Sequence, residues 1–140
     1  MTENFKILAE FIKDMSSETP NVESYIFVKE NISKYQLNID INSKPLKDKM
    51  IEVNTTLKFE DKEHNERKSY FEIIYASIVK IDDAVTDKKE LEKIILCDVQ
   101  NQIYSKLEKA FLNLLHSSGF PEIKLEKRVD FNELYKQRAS

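Results

Sequence analysis

Strict alternation of apolar and polar side chains predicts two strands in the first half of the chain. In YQLNIDI, residues 35–41, every second side chain is apolar, and IEVNTTLKFE, residues 51–60, follows the same period. A period of two places the apolar side chains on one face, so both segments are predicted to be half-buried strands. The turn-like SKPLKDK between them predicts that they pair as antiparallel neighbours.

A third strand is predicted over SYFEIIYASIVKI, residues 69–81, which is rich in β-branched and aromatic side chains on both faces. A strand with two apolar faces requires cover on both of them. From Asp87 to Ser118 the apolar residues recur at helical spacing. We expect this long helix to pack against the second face of the strand, which consists of Tyr70, Ile74, Ala76 and Ile78.

The end of the long helix is well marked. Gly119, the single glycine, stands where a left-handed residue caps a helix, and Pro121 prevents its continuation. VDFNELYKQ, residues 129–137, predicts a short amphipathic helix with Asp130 as its N-cap.

The opening segment is ambiguous, because its apolar residues also fit a helical stripe. In FIKDMSSETPN, residues 11–21, the apolar stretch breaks off into acidic and hydroxyl side chains. Periodicity alone does not decide between strand and helix. The apolar residues concerned are Ile7, Leu8, Phe11, Ile12 and Met15.

Composition narrows the class of protein. A chain of 140 residues without repeats or flexible linkers is expected to form one domain. Its net charge of −3 makes nucleic acid an unexpected partner. No apolar run approaches the roughly 18 residues of a membrane span, so no insertion into a membrane is expected. Cys97 is the sole cysteine, which fits a reducing compartment, and the cytoplasm is the expected location.

Candidate catalytic chemistry is sparse. A single glycine rules out the glycine-rich loops that bind nucleotide phosphates, so no such cofactor is expected. His64 and His116 lack the spacing of a metal site, and Cys97 has no nearby histidine to activate it. Pairs such as Asp82 and Asp83 are typical of solvated charge. We therefore expect no enzyme.

Apolar side chains in two separate segments are candidates for contact with another polypeptide. One segment precedes the first clear strand and contains Tyr25, Ile26, Phe27, Val28 and Ile32. The other is the last helix, with Phe131, Leu134 and Tyr135. Core packing is the ordinary explanation for each residue, but together they also fit the walls of an apolar groove.

An ordered set of segments resembles the SecB family of bacterial protein-export chaperones. YFEIIYASIVKI is similar to the family's fourth strand, GFP at 119–121 to its post-helix turn, and VDF at 129–131 to the entry of its final helix. The opening stretch FKILAEFIKDMSSETPN carries the strongest resemblance, through Phe5, Lys13, Asp14, Ser16, Glu18, Pro20 and Asn21.

The resemblance implies an α+β fold in which a four-stranded antiparallel sheet is followed by a long helix and a short C-terminal helix. It makes the opening segment a strand. It also implies a homotetramer, assembled as a dimer of dimers with helices between the sheets.

The implied function is that of an ATP-independent holdase, which binds unfolded precursor proteins in the cytoplasm and delivers them to the SecA motor. By position, the client groove would consist of Ile26, Phe27, Val28, Ile32, Phe131, Leu134 and Tyr135. The face that binds SecA would contain Asp14, Glu18, Tyr70 and Glu72.

Four departures mark a divergent member. Asn31 stands where the family commonly has a groove Trp, and Ala76-Ser77 replaces a Gly-rich bend. Val99-Gln100 replaces Cys-Pro, which predicts that the long helix continues back through KKELEKIILCD. The chain stops at YKQRAS, where many members continue into a tail that reaches SecA.

Two alternatives remain open at this point. One is a SecB-like chaperone dedicated to one client, such as an antitoxin. The other, of a different class, is a small α+β ligand-binding protein or thioesterase-like enzyme that pairs a carboxylate with a histidine.

Overall fold

The computed structural model describes residues 4–60, 69–124 and 129–139. The predicted connection at residues 61–68, which includes His64, lies outside them. The strands are β1 (Phe5–Glu18), β2 (Gln36–Pro45), β3 (Met50–Glu60) and β4 (Tyr70–Ile81). The helices are α1 (Val22–Glu30), α2 (Lys88–Lys93), α3 (Val99–Ser117) and α4 (Phe131–Ala139).

The strands form one antiparallel sheet in the order β1-β4-β3-β2. Leu37 lies opposite Phe59 and Ile39 opposite Leu57, which confirms the predicted pairing of β2 with β3. The opening segment is a strand of 14 residues that pairs along β4, as the family resemblance implied. Pairing with β4 decides between the two interpretations that local periodicity left open.

The long helix runs without a break from Lys88 to Ser117. Its N-terminus is capped by Asp87, whose side chain accepts a hydrogen bond of 3.1 Å from the backbone N–H of Lys89. α2 and α3 are joined by one π-helical turn, Ile94–Asp98. The prediction of a continuous helix is therefore confirmed.

The long helix packs against the opposite face of β4 from the one we expected. Ile103 and Leu107 of α3 are fully buried in one cluster with Phe71, Ile73 and other residues of the sheet. The expectation failed because the Tyr70 face also carries the charged residues Glu52, Lys58 and Glu72, whereas β3 and β4 place no charged residue on the Phe71 face. We call the helix-covered surface the inner face. The outer face carries Glu52, Asn54, Lys58, Tyr70, Glu72 and Ile74.

The C-terminus of the long helix is locked by a glycine and a tyrosine. Gly119 has a φ of 107°, the left-handed region predicted for the cap. The Tyr25 hydroxyl of α1 donates a hydrogen bond of 2.8 Å to the Gly119 carbonyl. The Tyr25 ring stacks on Phe120 with centroids 5.2 Å apart. This contact fixes α1 to the end of α3.

Gly119→Ala is expected to destabilise the fold. An added Cβ would lie 2.6 Å from Cε1 of Tyr25, and the backbone would hold an L residue in a strained region. Such strain lowers the free energy of unfolding by about 1–3 kcal/mol, measurable by urea denaturation. In a Tyr25→Leu background the cost should shrink without vanishing, because only the clash is relieved. Unchanged stability in both backgrounds would contradict this account.

Candidate functional site

An apolar groove lies between β2 and α4. Two adjoining cavities, of about 710 and 190 Å³, share Ile39 and Leu134 in their walls. β2 forms one wall, and it is an edge strand because β3 is its one neighbour in the sheet that the described residues form. The apolar side chains that line the groove are Tyr35, Leu37, Ile39, Ile41, Leu96, Val129, Phe131, Leu134 and Tyr135.

α4 is held over the long helix by a few specific contacts. The Phe131 ring, 2% exposed, meets the edge of Tyr104 with centroids 5.1 Å apart. The Cys97 thiol donates to Oδ1 of Asn132, and burial raises the pKa of this thiol, so it stays protonated. The Tyr135 hydroxyl donates to the Lys89 carbonyl at 3.3 Å. These contacts fix α4 while Leu134 on the same helix stays 45% exposed.

The start of α4 also sets the charge at the groove. Asp130 caps the helix, since its side chain accepts a hydrogen bond of 3.1 Å from the backbone N–H of Glu133. Both residues line the larger cavity, and Asp40 lines the smaller one. Among the described residues, the lining of the two cavities includes no Lys or Arg. The described part of the groove therefore combines an apolar floor with an acidic rim.

The residues predicted for this groove divide into two groups. Phe131, Leu134 and Tyr135 line it, and Leu134 is 45% exposed. Ile26, Phe27, Val28 and Ile32 are not among its lining residues.

The second group requires a correction for Val28, which is fully buried in the core. Asn21 caps α1 by accepting a hydrogen bond of 2.8 Å from Ser24 N–H, and the helix turns Val28 inward. Ile26 is 48% exposed, and Phe27 and Ile32 are half-buried.

Sequence reasoning missed the contribution of β2 to the groove. Leu37, Ile39 and Ile41 were predicted to be the buried side of a strand, and they are half-buried. Their alternation is the same in a central strand and in an edge strand, so it carries no information about the groove. The order of the strands supplies that information.

The residues predicted to bind SecA lie together on the outer face. Asp14 is opposite Ile74, and Glu18 is opposite Tyr70, across the pairing of β1 with β4. Glu72 lies between these positions on β4 and faces Lys58 of β3, with 3.9 Å between the charged atoms. The geometry thus places all four predicted residues in one patch, and one of its carboxylates has a basic neighbour.

A second ion pair crosses the same face. Nζ of Lys13 on β1 lies 2.7 Å from Oε2 of Glu52 on β3. The side chain of Asn54 donates to the same carboxylate at 2.8 Å. The hydrogen bonds from Lys13 and Asn54 lower the pKa of Glu52 below its usual value. Glu52 is therefore held in the charged form.

β1 leaves large apolar side chains exposed at the other edge of the sheet. Their exposed fractions lie between 44% and 48%. Within the part of the chain that the structure describes, β1 pairs with β4 alone, which leaves its second backbone edge open. An open edge with apolar side chains is typical of strand pairing between chains. The residues are Leu8, Phe11, Ile12 and Met15.

Comparison with known proteins gives one consistent family. The model of the family described as preprotein translocase subunit SecB matches residues 1–140, the whole chain. The chain belongs to the SecB family. The putative protein-export protein SecB of Pelagibacter ubique (strain HTCC1062) is 64% identical over 140 residues, which is all of both chains. The protein-export protein SecB of Bartonella quintana (strain Toulouse) is 21% identical over 97% of this chain and 84% of its own length.

A solved structure with the same fold is the Mycobacterium tuberculosis Rv1957 SecB-like chaperone in complex with a ChAD peptide from the Rv1956 HigA1 antitoxin. It aligns with a TM-score of 0.59 at 10% identity, over 89% of this chain and 91% of that one. This likeness confirms the predicted α+β arrangement of a four-stranded antiparallel sheet, a long helix and a short C-terminal helix.

Within the described residues, no helix has both the length and the apolar character needed to cross a membrane.

Proposed function

We propose that this chain is an ATP-independent holdase that binds unfolded precursor proteins in the cytoplasm and delivers them to the SecA motor for export. Membership of the SecB family supports a chaperone in protein export. The observation that supports binding of unfolded precursors is the groove between β2 and α4, an apolar channel beside a free strand edge.

The groove suits an extended, unfolded segment for two physical reasons. Its apolar floor takes up side chains that a folded client would bury. The free edge of β2 supplies backbone donors and acceptors that pair with any extended chain, whatever its sequence. Binding the unfolded state in this way opposes client folding by mass action and requires no nucleotide.

We propose that the exposed side chains of the groove contact the client and that the buried ones support them. Leu134 and Tyr135 of α4 contact the client directly, with Phe131 beneath them, and Leu37, Ile39 and Ile41 form the opposite wall. Ile26, Phe27 and Ile32 extend the path beyond Tyr35, where the groove begins. Val28 supports this region from the core and makes no client contact.

The groove residues are expected to determine how strongly the protein delays client refolding. Wild type should slow the refolding of a denatured precursor without nucleotide. Leu134→Glu should weaken client binding roughly tenfold or more, because an ionised group in an apolar groove costs at least about 1.4 kcal/mol. Leu46→Glu is the matched control, since Leu46 is 37% exposed on the hairpin between β2 and β3 and lies outside the groove lining. An unchanged refolding rate with stoichiometric wild type would refute the holdase.

A chaperone dedicated to one client is the second candidate. It is favoured by the fold shared with a SecB-like chaperone that binds an antitoxin peptide. Two unrelated denatured precursors in the same refolding assay separate the candidates. If the refolding of both precursors is delayed, a general export chaperone is favoured. If neither is delayed and the chain binds one other protein tightly, the dedicated chaperone is favoured.

We also propose that the chain assembles as a homotetramer, a dimer of dimers. The open edge of β1 and its exposed apolar residues support pairing of two copies through this strand. The inner face next to β1 is uncovered at Ile12 and Met15, which supports further helix packing between dimers. Several grooves in one assembly would bind one client with avidity.

Charges on β1 are expected to disrupt this assembly. Phe11→Lys with Met15→Lys places two cations on the proposed interface and should lower the mass measured by light scattering to that of smaller species. Leu46→Lys, on the exposed hairpin between β2 and β3, is the control and should leave the mass unchanged. A wild-type protein that is monomeric at micromolar concentration would contradict the tetramer.

The outer-face patch of Asp14, Glu18, Tyr70 and Glu72 is the proposed binding site for SecA. Asp14→Lys with Glu72→Lys should weaken SecA binding by tenfold or more and leave client binding unchanged, because the groove lies elsewhere. Glu92→Lys with Glu122→Lys makes the same change of charge at exposed positions off the sheet. Equal loss of client and SecA binding in the first variant would refute this division of labour.

A further inference from the structure

The ion pair between Lys13 and Glu52 joins two strands that are not neighbours in the sheet. β4 lies between the strands that carry these residues, so the Lys13 side chain must pass over β4 to reach Glu52. The position midway is Ala76, which lies opposite both Phe11 on β1 and Asn54 on β3. Its methyl group leaves the space that the lysine crosses.

The far end of this path is a cluster of hydrogen-bond acceptors. Glu52 presents a carboxylate that is 20% exposed, and Asn42 presents a side-chain oxygen that accepts from Asn54 at 3.3 Å. Asn54 is 8% exposed, and among the described residues its Oδ1 has no hydrogen-bond partner. This oxygen belongs to the same planar amide whose nitrogen donates to Glu52 at 2.8 Å.

Lys13 donates to the Glu52 carboxylate but leaves another hydrogen-bond acceptor of the cluster without a donor. A buried acceptor without a donor is costly, and an ammonium is a compact charge that leaves Oδ1 of Asn54 unpaired here. The Lys13 side chain is 48% exposed, so it is free to leave. A guanidinium carries five donors in a planar fork and can serve the carboxylate and a neighbouring amide oxygen together.

We propose that Glu52, Asn54 and Asn42 form a receptor for an arginine side chain of the protein that docks on the outer face, and that Lys13 occupies this receptor in the free chain. An arriving arginine displaces Lys13 and pairs with Glu52 and Asn54. The proposal rests on docking at the outer face, as proposed above, and adds a specific anchor to it. It also makes Lys13 a competitor of the arriving arginine, so that loss of Lys13 strengthens docking of a partner that carries one.

The test uses Lys13→Met, which opens the receptor and retains the aliphatic stem. A blocked tetra-arginine peptide is titrated into the full chain, and the side-chain amide signals of Asn42 and Asn54 are followed by NMR. Lys13→Met should bind this peptide about tenfold more tightly than wild type, and tetra-lysine should gain less. Adding Glu52→Gln to Lys13→Met should abolish the gain.

Lys80→Met is the matched control, because Lys80 is an exposed residue of β4 on the same face and its loss changes the net charge equally. Equal gains in Lys13→Met and Lys80→Met, or equal gains for both peptides, would overturn the proposal. Shifts confined to residues other than Asn42 and Asn54 would also overturn it. Arginine binding at these residues without binding of SecA would support the receptor and refute SecA as the partner, while the refolding assay tests the holdase separately.

Discussion

The width of one helix governs the arrangement of this molecule. A helix with its side chains is about 10–12 Å across, and neighbouring strands lie about 4.8 Å apart, so one helix covers about two strands of a four-stranded sheet. α3 covers β3 and β4, whose inner-face residues Leu57, Ile73 and Val79 are fully buried. β1 and β2 flank this covered centre, and each keeps apolar surface that the chain itself does not bury.

The two flanks differ in what covers them, and this difference separates their proposed roles. α4 lies over the inner side of β2, which makes a groove with an outer wall and an acidic rim. No helix of the described residues covers β1 in this way, and Ile12 and Met15 stay 45% and 48% exposed. A walled groove suits a transient extended client, whereas an open edge suits a second copy of the same strand.

A polar contact inside the core links the position of the helix to the groove. Gln100 of α3 is fully buried, accepts a hydrogen bond of 3.0 Å from the Thr55 hydroxyl, and donates to the Ile95 carbonyl at 3.4 Å. A helix shift that left these groups unpaired would cost about 1–3 kcal/mol. Ile95 belongs to the π turn that also presents Cys97 to α4. The position of α3 on the sheet therefore fixes the π turn, and the π turn helps to place α4 over β2.

Features that depend on neighbouring residues were predictable from the amino-acid sequence. Alternation identified β2 and β3, and the run of β-branched and aromatic residues identified β4. Helical spacing with Gly119 and Asp130 identified the end of α3 and the start of α4. Resemblance to a family was needed for β1, because its apolar residues fit two periods equally well.

The folded chain was needed to show which face of β4 meets the helix, which strands are edges, and that Lys13 reaches Glu52. The apolar string at residues 25–28 gave no clear helical signal, and its burial was decided by the cap at Asn21 and the contact of Tyr25 with Gly119. These cases share one cause. Periodicity predicts that a side chain is buried, but the strand order and the width of one helix determine which element buries it.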